Sequence, residues 1–164
     1  MFSIGEWIFY PVFGAGLIIN IEEKKICGDE KKYYIIKFIN GINMMIPVFS
    51  NEAYRLRKAI SKDECVGIYN ILKSEPEGLP SRWVDRYKSY KNCIYDGDIK
   101  KLAKMLRDIG NLSQSKKLSK SEIKIFFSIL ELVSGEICAV LNKDIEMIKK
   151  EIIRIIKFDD KVNS

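Results

Sequence analysis

The hydrophobic period of this chain changes once, between residues 50 and 61, and that change limits the folds open to it. Up to residue 50 the apolar residues come in short runs. "EWIFYP" alternates and stops at Pro11, and "GAGLIINIEEKKI" follows a glycine-containing turn. "KKYYIIKFI" follows "CGDE", and "NMMIPV" follows Asn40-Gly41. Strands show successive residues to opposite faces, and glycine turns between such runs mark their ends. Four or five runs in fifty residues predict a small, strongly bent sheet or barrel, too small for a deep catalytic pocket.

Beyond residue 50 the spacing is helical. "SKDE" at 61–64 is a capping box that opens a helix bearing Val66, Ile68, Tyr69 and Leu72. "EPEGLP" ends it, and a second helix, "SRWVDRYKSYKNCI", is expected to begin near Ser81. After "DGD" at 96–98, Ile99, Leu102, Ala103, Leu106 and Ile109 recur at helical spacing, and "GNLSQSKK" reads as a polar loop. "SKSE" at 119–122 is a second capping box, before Ile123, Phe126, Phe127, Leu130, Val133, Ile137 and Leu141. Ile145, Ile148, Ile152 and Ile155 form either a separate helix or a continuation through "NKD", and the end of the chain is a polar stretch expected to fray. The expected fold class is α+β, with a β module at 1–58 followed by an all-helical domain at 59–164.

Several kinds of chemistry lack their residues. The chain has no histidine, so Ser-His-Asp and Cys-His arrangements are excluded, and so is the commonest metal ligand. Cys27, Cys65, Cys93 and Cys138 are scattered without a CxxC pair, and read as reduced, mostly buried thiols. "FGAGL" lacks a following Lys-Ser/Thr pair, so Gly14 and Gly16 read as turn residues. The acidic pairs Glu22–Glu23 and Asp159–Asp160 read as solvated. No apolar run is long enough to span a bilayer, so a cytoplasmic location is expected. No catalytic residue, metal or cofactor is expected.

The net charge of +6 is concentrated. Residues 82–120 hold 11 Lys or Arg against 4 Asp, and the rest of the chain nearly balances. Such a region suits a polyanion, an acidic partner or simply solvent. Within it, "LPSRWVDRYKSY" puts Trp83 at the start of a helix among Arg82, Arg86 and Lys88. Two readings fit. Trp83, Tyr87, Tyr90 and Ile94 share a helical face that can pack on the next helix. Alternatively, an aromatic presented beside cations can wedge into a DNA step and recover the unstacking cost through phosphate contacts.

The run "IGEWIFYPVFGAGLIINIEEKKICGDEKKYYIIKF", the strand "MMIPV" and the segment "RWVDRYKSYKNCIYDGDIKKLAKMLRDI" together resemble the CarD/CdnL family of bacterial transcription regulators. The resemblance runs through nearly the whole chain in order. Its N-terminal half is shared with the polymerase-interacting module of transcription–repair coupling factors. It implies a Tudor-like N-terminal module that binds the β subunit of RNA polymerase. It also implies a helical domain that meets promoter DNA at the upstream edge of the melted region. There a tryptophan enters the minor groove, with little sequence specificity, and favours the open complex.

Trp83 matches that tryptophan, and Arg86 and Lys88 match basic positions after it. With Arg82 and Lys91 they form the expected DNA-binding set. Lys24 falls where members carry a basic residue for polymerase contact, and Lys25, Met45 and Pro47 complete the expected polymerase-binding set. The chain departs from the pattern at Asp85, which is basic in some relatives, and at Met45, which is arginine in some. A more apolar polymerase face is therefore expected. The resemblance implies a non-enzymatic, cytoplasmic protein associated with the nucleoid through polymerase, without membrane contact and monomeric. Its rivals are a polymerase- or protein-binding adaptor that keeps Trp83 buried and never touches DNA, and a small enzyme.

Overall fold

The computed structural model describes residues 1–159; Asp160 and the expected polar end lie outside the described residues. Five strands come first: β1 (Trp7–Tyr10), β2 (Gly14–Ile26), β3 (Asp29–Phe38), β4 (Asn43–Pro47) and β5 (Arg57–Lys58). They form one antiparallel sheet in the order β4-β3-β2-β1-β5. Ile8, Ile18, Tyr34, Ile36 and Ile46 point to a common buried side, as period-2 alternation requires. A register shift between Ile18 and Asn20 on β2 bends the sheet. This is the Tudor-like module. The expected role of Gly16 as a turn residue changes: it lies inside β2, where a Cβ would come within 2.7 Å of the Ile36 side chain.

Five helices follow: α1 (Lys62–Lys73), α2 (Trp83–Asp96), α3 (Ile99–Ser115), α4 (Lys120–Leu141) and α5 (Ile145–Ile156). Both capping boxes form, at Ser61/Glu64 and Ser119/Glu122. The tail helix is separate, because Asn142 takes a left-handed conformation and the Asp144 carboxylate accepts from the Met147 N–H at 2.9 Å. The expected loop at 110–117 is instead helix as far as Ser115. Gly110 is retained inside α3 because the end of α5 closes on it: a Cβ there would lie 2.8 Å from the Ile156 carbonyl oxygen. Close packing outweighs the helix penalty of glycine, about 1 kcal/mol.

Two apolar clusters result, one inside the bent sheet and one among the helices. Phe9 of β1 belongs to the helical cluster, so the two halves meet through core. The contact is polar at its centre. Glu136 of α4 is fully buried, and both of its oxygens face the Arg57 guanidinium of β5, Oε2 accepting from Nη2 at 2.8 Å. Oε1 also accepts from the Ile60 N–H at 3.0 Å. Arg57 lies over the Phe9 ring at 4.1 Å and donates to the Gly97 carbonyl at the end of α2. Gly97, at φ +66°, closes the joint, since a Cβ there would lie 2.8 Å from Pro11.

Removing Glu136 leaves the Ile60 N–H without its acceptor and takes the counter-charge from Arg57, whose side chain is 33 % exposed. Glu136→Ala should lower the unfolding free energy by about 1–3 kcal/mol in a denaturant melt, against little change for Glu146→Ala on the exposed side of α5.

Candidate nucleic-acid interface

The approach to α2 is irregular. Pro76, Gly78 and Pro80 keep residues 74–82 out of helix and strand. The helix begins at Trp83, two residues later than expected, with Arg82 in extended conformation as its N-cap. Asp85 sits in the first turn, where a carboxylate complements the helix dipole. It also receives Arg82, Nε to Oδ2 at 2.7 Å and Nη2 to Oδ1 at 3.1 Å.

Trp83 is 38 % exposed. Its ring stands 5.4 Å from that of Tyr87, which is also exposed, and Lys91 lies 5.6 Å from the Tyr87 ring. Trp83, Tyr87 and Lys91 follow one another at four-residue steps, so they form one ridge, flanked by exposed Val84 and Lys88. The inner face carries Arg86, Tyr90 and Cys93. Of the expected packing stripe, Tyr90 is buried and Ile94 half-buried in the helical core, while Trp83 and Tyr87 are at the surface.

Arg86 departs from its expected place. It is 3 % exposed, and its Nε donates to Glu122 Oε1 at 2.8 Å. Its Nη1 donates to the carbonyls of Ser81 at 2.6 Å and Pro80 at 3.2 Å. The Tyr90 hydroxyl shares Glu122 Oε1 at 3.3 Å, and Ser119 donates to Oε2 through its N–H and its hydroxyl, both at 3.1 Å. Burial pushes the Glu122 carboxyl upward, but the Ser119 N–H and the Arg86 guanidinium outweigh it and hold the group below its usual value. Burial also pushes the Tyr90 phenol far above its ordinary range.

Sequence reasoning places Tyr90 in a packing stripe, where it is buried, and does not single out Glu122 as its partner. Glu122 was visible only as a capping residue. The signal for the second role was the Arg86–Tyr90–Cys93 spacing, which puts a cation on the buried face and requires an acid opposite.

The expected polymerase-binding residues divide between two faces. Lys24 pairs in register with Lys31, Pro47 with Tyr33 and Met45 with Ile35. Alternation places all three on the face of the sheet opposite its buried side, with Met45 exposed and Lys24 in an ion pair to Glu22 at 3.0 Å. Lys25 points to the other face. β4 is an edge strand, so one row of its backbone groups is open. All four cysteines are free thiols, with Cys27 exposed. Among the described residues no group of His, Cys, Asp or Glu could hold a metal, and no helix is long and apolar enough to cross a membrane.

A bent sheet joined to a helical domain with an aromatic ridge is matched by a family of transcription-associated regulators. Residues 2–60 match the CarD-like/TRCF RID domain and residues 67–153 the CarD C-terminal domain, and the chain belongs to the CarD family. It is 30 % identical over 138 residues, 84 % of this chain and 90 % of the other, to a Bacillus subtilis (strain 168) protein named "Putative transcription factor YdeB".

The lowered pKa of Glu122 sets an acid dependence. Its stabilising contribution is complete above the usual carboxylate value of 4.5 and is lost as pH falls through the lowered folded-state value. Unfolding free energy measured below pH 4.5 should therefore fall less steeply with acid in Glu122→Gln than in the parent.

Proposed function

We propose that this chain is a non-enzymatic transcription regulator that bridges RNA polymerase and promoter DNA. The outer face of the sheet, with Lys24, Met45 and Pro47, binds the polymerase β subunit. The start of α2 meets the minor groove at the upstream edge of the melted region, where Trp83 wedges and holds the open complex. The observation that carries this reading is the exposed Trp83–Tyr87 pair at the first turn of a helix whose inner face is locked to α4. Partial unstacking of a base step costs a few kcal/mol, and an aromatic wedge with phosphate contacts beside it offsets that cost. Arg86 is buried and Arg82 is held by Asp85, so the phosphate contacts fall mainly to Lys88 and Lys91.

Open-complex lifetime on one promoter tests the wedge. Trp83→Ala should keep its melting midpoint and its polymerase binding, yet shorten the lifetime to that without the protein. A lifetime equal to the parent's would favour the adaptor that never touches DNA. Lys88→Ala and Lys91→Ala should each lower the salt slope of forked-DNA binding by about 1, whereas Arg86→Ala should chiefly destabilise the fold.

The polymerase face has its own test. Lys24→Glu and Met45→Ala should both weaken binding to the isolated β subunit, and Lys25→Glu, on the opposite face, should leave it unchanged. Met45→Ala with full affinity would remove the apolar anchor.

A further inference from the structure

Resting on the proposed role of Trp83, we infer that Arg86 is a positioning residue: it presets the irregular segment that delivers the wedge, and does not itself contact phosphate. Residues 74–82 have no regular structure of their own, yet they are tied at both ends by buried arginines. At the start, Arg107 Nη1 donates to the Ser74 hydroxyl at 2.8 Å and its Nε to Asp108 Oδ1 at 2.8 Å. The same Asp108 oxygen accepts from the Glu77 N–H at 3.2 Å. At the end, one guanidinium joins the Pro80 and Ser81 carbonyls to Glu122, which Tyr90 and Ser119 hold in turn. The centre of that guanidinium lies 5.9 Å from the Trp83 ring centroid.

A wedge at the end of a loose segment would lose affinity to the ordering of that segment on DNA. A clamp that orders it in the free protein removes that loss. Only a planar fork serves here: Nε faces the carboxylate while Nη1 faces the carbonyls, and the ammonium of lysine cannot hold both positions.

Lysine therefore separates positioning from general stabilisation. With Trp7→Phe as background, Trp83 is the sole tryptophan of the 164 residues, and its anisotropy decay reports local motion without DNA. Arg86→Lys keeps the charge beside Glu122, so the melting midpoint and polymerase binding should stay near the parent's. Trp83 should gain a fast local motion, and affinity for a forked duplex should fall about tenfold, as for loss of a hydrogen bond to a charged group. Unchanged Trp83 anisotropy and unchanged forked-duplex affinity overturn the inference. Should Arg86→Lys lower the folded fraction, Glu122→Gln takes its place. A glutamine still serves the capping box, and a mobile Trp83 is again expected, a rigid one again overturning. Trp83→Ala runs in the same duplex assay. Full affinity there would overturn the wedge itself and with it the reason for the clamp, a failure told apart because the anisotropy is read on free protein.

Discussion

Glu136 is the residue through which the two halves of this protein depend on each other. A carboxylate withdrawn from water needs both an opposite charge and hydrogen-bond donors. None of the partners described for Glu136 comes from its own helix. Arg57 comes from the last strand of the sheet and the Ile60 N–H from the linker behind it. The helical core is thus completed by the sheet module, and Phe9 completes it again on the apolar side. The sheet and the helices are held to each other by this shared group and by the ring beneath its partner.

The basic excess of residues 82–120 acquires a different meaning in three dimensions. Arg86 and Arg107 are buried in ion pairs, Arg82 is matched by Asp85, Lys101 by Asp96 and Lys104 by Glu77. Much of the formal charge therefore organises the domain's own loops and caps. What faces outward near Trp83 is a short aromatic ridge with two lysines on it. A surface of that kind offers more by shape and stacking than by charge density.

The two-part plan was legible because period and turn chemistry are local. Alternation gave the four principal strands, and the capping boxes at Ser61 and Ser119 marked helix starts that the structure keeps. The misses are all tertiary. "GNLSQS" is polar and begins with glycine, yet it is helix with Ser113 buried and Leu112 packed against the helical core, while Gly110 leaves room for Ile156. Arg86 looks like a surface cation until Glu122, 36 residues away, is set opposite it. Lys24 and Lys25 are neighbours in sequence, and only the register with β3 shows that they serve opposite faces. Spacing alone fits Trp83 to core or surface, and in the fold Tyr90 takes the buried position while Trp83 is exposed.

The joint at Gly97 has a mechanical consequence. The last turn of α2 is pressed against Pro11 and bonded to Arg57, with no room even for a methyl group. The helix then runs 14 residues back to Trp83, about 21 Å at the usual rise. It behaves as a strut with its foot on the sheet and its tip at the tryptophan. A tilt of the sheet by about 5° would swing that tip by roughly 2 Å over such a length. A partner that tilts the sheet therefore also displaces the first turn of α2.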